Sequence, residues 1–277
     1  MENKHKSSLL KDMVANRQLI ASLSKNDFKA KYAGSYFGII WAFVQPVITI
    51  LVYWFVFDKA LNAASSVTKQ GIEVPYVLWL IAGMVPWFYF AETMGSGSNV
   101  LVEYNYLVKK VVFNIDVLPM VKMISSLFVH GFFVLFMILV YTLYGFYPSV
   151  YAVQVVYYSF AMFCLSLGLA YFTSAITVFF RDLSQLIGIG LQVLMWMTPI
   201  MWNMGAMEDR LAKPIVLILK ANPMYYITSG YRDSMINQVW FWERPAITIY
   251  FWVFTLVCLL LGTKVFKKLK VHFADVL

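Results

Sequence analysis

The side chains that could do chemistry in this chain are few and scattered. Glu92 and His130 are read as the only ionisable candidates inside its long apolar stretches, and such groups are functional by default because hydrocarbon makes them costly to keep. They could pair with each other or meet a charged group brought to them, although Glu92 could also reach toward the polar run GSGSN at 95–99. A further pair, Arg181 and Asp182 in VFFRDLSQLIG (178–188), interrupts an otherwise uncharged run. Enzymatic chemistry is poorly served: the three histidines, at 5, 130 and 272, lie far apart with no ligand spacing, and no carboxylates converge. The stretch MGSGSN (94–99) lacks both the spacing and the lysine of a phosphate loop, and no G-x-x-x-x-G-K-[ST] occurs elsewhere. Hydrolysis of ATP by this chain is therefore not expected.

The elements that must position these groups follow from composition. Of 277 residues, 61% are hydrophobic and 13% charged, against about 45–50% and 25% in soluble proteins. The apolar residues form uninterrupted runs rather than stripes, and a bilayer core needs roughly 20 residues per helical crossing. Six crossings are expected, at 36–57, 76–99, 117–141, 155–179, 183–201 and 247–266. The run 150–206 contains a single charged pair and would be about 85 Å long as one helix, so it must double back. Arg181 and Asp182 mark that reversal, with Asp182 or Ser184 placed to cap the next helix. Cys164 and Cys258 fall inside crossings and read as packing residues. The opening MENKHKSSLLKDM has no apolar core for a removable signal peptide, so the first crossing is expected to act as its own signal.

Lysine and arginine set the orientation. With six crossings, the N-tail, the second and fourth connections and the C-tail share one side and, with Lys122 and Lys264 at the crossing ends counted in, hold seven, three, one and four of them. The other three connections hold two, none and five. Both termini are expected in the cytoplasm, and the net charge of +8 is matched to anionic lipid headgroups rather than nucleic acid, the basic KVFKKLKVH (264–272) included.

Three stretches are too organised to be plain linkers. Residues 7–29 place Leu10, Met13, Val14, Arg17, Ile20, Ala21 and Phe28 near helical spacing, as in an amphipathic helix lying in the interface. The connector 103–119 crowds Tyr104, Tyr106, Leu107 and Phe113 beside Lys109 and Lys110, which favours a short helix docking into something apolar. The segment 203–244 is apolar but broken by Pro214, Asn222–Pro223 and Gly230, so short helices forming a hairpin in the outer leaflet are expected. The resulting fold class is an all-α integral membrane protein. Its parts are a tail with the interface helix (1–35), a six-helix transmembrane domain (36–266) with the hairpin between spans 5 and 6, and a C-tail (267–277).

Three patches resemble the ABC-2 family of polysaccharide exporter permeases. KAKYAGSYFGIIWAFVQP (29–46) carries Lys31, Tyr32, Ser35, Gly38, Trp41 and Pro46 at the family's spacing, with Phe37 in place of the common Leu. FFRDLSQLIGIGLQVLMWMTPI (179–200) carries Arg181, Asp182, Gln192, Thr198, Pro199 and Ile200, and NPMYYITSGYRD (222–233) carries Asn222, Pro223 and Arg232. The resemblance implies a bacterial cytoplasmic-membrane permease that holds no cofactor itself. ATP and Mg would be bound by two copies of a separate cytoplasmic ATPase, working with a homodimer of this chain to move a lipid-linked O antigen, capsule or teichoic acid.

The resemblance places ATPase coupling at Tyr104, Asn105, Leu107, Lys109, Lys110 and Phe113, together with Arg181 and Asp182, and assigns Lys29, Lys31 and Tyr32 to the interface helix. A sliding polymer needs a chemically bland path, and sugar rings lay their C–H faces on aromatic rings. Trp41, Trp87, Tyr89 and Trp196 are the candidates, with Glu92 and His130 as polar groups that could meet a lipid pyrophosphate. The rival readings are an ABC-2 exporter of small molecules and a secondary transporter. For the latter, no ion-coupling carboxylates or internal repeats are visible.

Overall fold

Backbone placed in hydrocarbon must satisfy its own N–H and C=O groups, and the apolar runs accordingly fold as helices. The computed structural model describes residues 15–61, 66–67, 71, 73–109, 114–208 and 210–277. Its α-helices are α1 (Arg17–Lys31), α2 (Trp41–Trp54), α3 (Tyr76–Glu103), α4 (Asn105–Val108), α5 (Leu118–Leu143) and α6 (Gln154–Thr177). They continue with α7 (Leu183–Met197), α8 (Met204–Met207), α9 (Lys213–Ala221), α10 (Pro223–Arg232), α11 (Pro245–Leu269) and α12 (Phe273–Val276). A two-residue antiparallel ribbon, β1 (Ser66–Val67) with β2 (Glu73–Val74), lies between α2 and α3.

Among the described residues, five helical stretches are long and apolar enough to cross a membrane: Gly38–Ala60, Tyr76–Glu103, Ile115–Leu143, Val150–Thr177 and Pro245–Val276. The sixth apolar helix, α7, has only 15 residues, or about 22 Å of rise. It stops because Thr198, at φ −80° and ψ 129°, is extended ahead of Pro199, whose ring disfavours helix in the residue before it. At its start the expected cap is absent. Asp182 makes no side-chain capping bond, and the Ser184 hydroxyl donates to the Arg181 carbonyl at 2.9 Å. The reversal is a hydrogen-bonded turn in which Leu183 N donates to Phe180 O and Ser184 N to Arg181 O.

Helix α3 is the centre of the bundle, with Leu80, Ile81, Ala82, Met84, Val85 and Trp87 all buried. Helices α6 and α11 approach most closely where Gly168 faces Gly262; a Cβ on Gly168 would lie 2.7 Å from the Leu259 nitrogen. Small residues at a helix crossing let backbones meet where hydrophobic drive between helices is missing.

The first and last of the described helices, α1 and α12, gather at one end of the bundle, termed basal. Ile20 of α1 packs on Val117 and Val121, while Phe273 of α12 is buried with Leu118, Tyr171 and Phe266. The C-tail segment (267–277) is helical to Leu269 and docked through Phe273. The face of α1 differs from the apolar stripe expected. Ile20, Ser24 and Asp27 are buried, whereas Arg17 and Ala21 are exposed. The members of the stripe at 10, 13 and 14 lie outside the described residues. Hydrophobicity misjudged the face because two of its members are polar side chains with specific partners.

Candidate functional site

A cavity of about 900 Å³ opens between α1, α2, α3 and α5. Of the expected path residues, Trp41, Tyr89, Glu92 and His130 line it, joined by Lys31 and Gln45. Trp87 does not reach it: its side chain is buried in the core against Phe90. Trp196 lies on α7 with its side chain exposed, away from the cavity.

The pairing of Glu92 with His130 is not made. Glu92 forms an ion pair with Lys31, and the two side chains remain 39% and 43% exposed, the range in which such a pair is worth about 0–1 kcal/mol. Lys31 also sits 5.6 Å from the centre of the Tyr32 ring. His130 faces inward instead, its Nε2 lying 3.1 Å from Ser159 Oγ and 3.0 Å from the Tyr231 hydroxyl. The two groups share a depth but not a direction, because the Tyr89 ring packs against the imidazole at 5.0 Å.

The charge that sequence reasoning missed is Lys122. It lies in the second turn of α5 and is 9% exposed, yet it reads as part of a basic connection when counted for orientation. Its ammonium donates to Asp27 at 2.8 Å and pairs with Glu103 at 2.5 Å, and it lies 5.4 Å from the Tyr104 ring centre. The Tyr104 hydroxyl donates to the same Asp27 carboxylate at 2.7 Å. Burial and the adjoining carboxylate raise the Tyr104 phenol well above its usual range, so it remains a donor. One buried lysine thus ties the N-terminal helix, the end of α3 and α5 together. Removing a single partner from such a buried pair costs about 3–5 kcal/mol. The other flank of the connector is tied as well: Lys270 pairs with Asp116 at 2.7 Å, and the Tyr171 hydroxyl donates to the Asp116 carbonyl at 2.7 Å. The signal available in the sequence was an acid and a base one helical turn apart, Asp27 and Lys31, beside the motif tyrosine.

In the connector, α4 presents Asn105, Tyr106 and Lys109 outward, while Tyr104 and Leu107 are half-buried against the basal core. Lys110 and Phe113 lie outside the described residues. Arg181 and Asp182 are exposed, and Phe179 beside them meets Phe273 at 6.1 Å, so the turn, the connector, α1 and α12 share the basal end. Lys29 is exposed on α1.

The opposite, distal end is held by a different device. Arg232, 3% exposed, donates from Nη1 to Pro199 O at 2.6 Å and from Nη2 to Ile200 O at 2.7 Å, and stacks 3.7 Å over the Trp79 ring. Tyr76 donates to Met201 O at 2.8 Å, and Asn222 Nδ2 to Thr198 Oγ1 at 2.7 Å. The Asn222 side chain also accepts from Met224 N, which starts α10 at Pro223. The irregular backbone after α7 is therefore satisfied almost entirely by side chains from α3 and α10, as non-helical segments in a membrane require.

Long apolar helices around a polar, aromatic-lined cavity mark a multi-pass membrane protein. More particularly, the ABC-2 type transporter family matches residues 18–236, and the chain belongs to that family. It is similar to an O-antigen export system permease protein RfbA of Klebsiella pneumoniae, 26% identical over 267 residues and covering 94% of this chain and 95% of that protein. Another O-antigen export system permease protein RfbA, of Myxococcus xanthus, is 27% identical over 224 residues, 81% of this chain and 82% of its own.

Proposed function

We propose that this chain is the membrane subunit of an ATP-driven exporter that moves a lipid-linked polysaccharide out across the bacterial cytoplasmic membrane. The observation that carries the reading is end-to-end similarity to O-antigen export permeases. The cavity fits it: hydroxyls, the Gln45 amide and aromatic rings suit a sugar better than an apolar drug, and the charged lining residues Lys31, Lys122, Asp27, Glu92 and Glu103 are paired among themselves. The family motif around Trp41 lies on that wall.

A sixth crossing by α7 is supported by its reach. It starts beside the basal contact of Phe179 with Phe273, and the backbone that follows it meets Tyr76 at the distal start of α3. An even number of crossings agrees with α1 and α12 both meeting α5 at the basal end, and the lysine and arginine bias favours that end as cytoplasmic. There the outward residues of α4 and the Arg181–Asp182 turn are placed to receive two copies of an ATPase, which would bind the ATP and Mg. None of the α7 side chains is buried, and α2 buries only Ala42 and Ile50; a second copy on these faces would give a two-fold path of twelve helices.

Deleting the gene tests the reading. Lipid-linked polymer should accumulate inside the cell and vanish from the surface, and a plasmid copy should restore it. Unchanged surface polymer with loss of drug efflux would instead assign small-molecule export. For orientation, single cysteines introduced at 181 or 182, with Cys164 and Cys258 replaced, should react with impermeant reagents only from the cytoplasmic face.

A further inference from the structure

The two ion pairs on α1 differ in a way that suggests a moving part. Asp27 and Lys31 are one helical turn apart and so share a face. Asp27 joins Lys122, with side chains only 9% and 11% exposed, whereas Lys31 joins Glu92 at the solvent-reached mouth of the cavity. The first contact is costly to open, since it would leave the buried Asp27 carboxylate without its lysine; the second is screened and easily broken. Beyond Lys31 the chain turns through Gly34 at φ +87° and Gly38 at φ +53°, left-handed conformations with nothing within 4 Å of a Cβ position. The segment between them is lightly packed, with the Tyr36 ring exposed and Phe37 stacked edge-on with Tyr36 and Trp41.

We propose that Asp27, Lys122 and Tyr104 are positioning residues that make α1 a latch on the cavity, hinged at its buried end and bolted by Lys31 and Glu92. Tyr104 stands between the last residue of α3 and the first of α4 and donates directly to Asp27. A displacement of the connector is therefore felt by α1 through one hydrogen bond and the shared lysine. Because Lys122 also holds Glu103, the hinge persists when the connector shifts. Lifting the outer part of α1 carries Phe28, Lys31 and Tyr32 away from the cavity wall that they form with Trp41 and Glu92. The use of this motion, admitting cargo to the cavity, rests on the exporter reading; the latch itself does not.

The test uses the full chain in membranes with its ATPase, Cys164 and Cys258 replaced, and Ser126→Cys in the cavity wall as reporter. The quantity measured is the rate of reaction with a small methanethiosulfonate reagent, and no cargo is needed. Lys31→Ala and Glu92→Ala should each raise the rate about two- to fivefold, the factor an exposed pair can hold. The exchanged pair Lys31→Glu with Glu92→Lys should return it to the parent value. Trapping the ATPase with ADP and vanadate should raise the parent rate comparably, and Tyr104→Phe should abolish that response while Asp27→Glu retains it. Rates indifferent to the ion pair, or a full nucleotide response in Tyr104→Phe, would overturn the latch even if export of polysaccharide were established. The expected pattern in cells whose surface polymer survives deletion of the gene would keep the latch and overturn the exporter reading.

Discussion

The two ends of this bundle solve one problem, holding a charge out of water, by opposite means. At the basal end Lys122 is matched by carboxylates from two separate segments, and Lys270 by a third. At the distal end Arg232 has its hydrogen bonds on backbone carbonyls and its plane on Trp79. Carboxylates on side chains can change partners when their helices shift, so the basal arrangement tolerates motion. Carbonyls of a fixed turn cannot, and a forked guanidinium reads their geometry as well as their charge. The distal end is thus fixed as one piece with α3, α7 and α10, while the basal charges are held through side chains alone, as the proposed latch requires.

The largest blow to that contrast should come from Arg232→Met. It leaves the Pro199 and Ile200 carbonyls without donors, and at about 1–3 kcal/mol for each buried orphan the loss should reach several kcal/mol. Monodisperse yield in detergent should collapse, and Arg232→Lys, lacking the fork, should recover only part of it. A melting temperature for Arg232→Met equal to the parent's would mean that the distal clamp is ornamental.

Next in size is the basal pair. Asp27→Ala should cost about 2 kcal/mol, softened because Glu103 still holds Lys122. Adding Lys122→Met should restore most of it, since an apolar pair of similar volume is often as stable as a buried ion pair. Thermal melts of the two single variants and the double complete the cycle, and simple additivity would show that Asp27 and Lys122 are uncoupled.

Tyr104→Phe removes one hydrogen bond to a carboxylate and should cost about 1.5 kcal/mol or less, leaving the chain folded. Co-purification of the ATPase, by contrast, should depend on Tyr106 and Lys109, which face outward. If Tyr106→Ala leaves it intact while Tyr104→Phe abolishes it, the half-buried side of the connector is the docking surface. The smallest effect belongs to Asp182→Asn, an exposed position with no side-chain cap, where stability should change by no more than about 0.5 kcal/mol. A larger shift would reveal a partner for this carboxylate.

These contrasts were only partly legible in the residues. Asn222–Pro223 was legible as a break in an apolar segment, and the structure starts α10 there, with the Asn222 side chain accepting from Met224 N. The connector was legible as organised, but its tyrosines divide, Tyr104 inward and Tyr106 outward, and nothing in an aromatic-rich stretch says which will turn. Glu92 and His130 were legible as a pair of interest, and both do line the cavity, yet each has a different partner. Lys122 was hidden because a lysine one or two turns into an apolar run looks like the edge of a loop.

By itself the sequence determined that this chain lives in a membrane, that its long runs are helices, that the run after 150 must reverse at Arg181 and Asp182, and that short broken helices precede the final crossing. Those features depend on composition, on run length against bilayer thickness and on local backbone chemistry, all of which are written along the chain. Only the tertiary structure decided where α7 ends in depth, which face of α1 is buried and which charges meet. Asp27 and Lys122 are 95 residues apart in sequence, and Arg232 lies 153 from the Trp79 carbonyl beside it. A charge in a low-dielectric interior is settled by whichever partner the packing brings within hydrogen-bond reach, and that depends on how helices distant in the chain are rotated against one another.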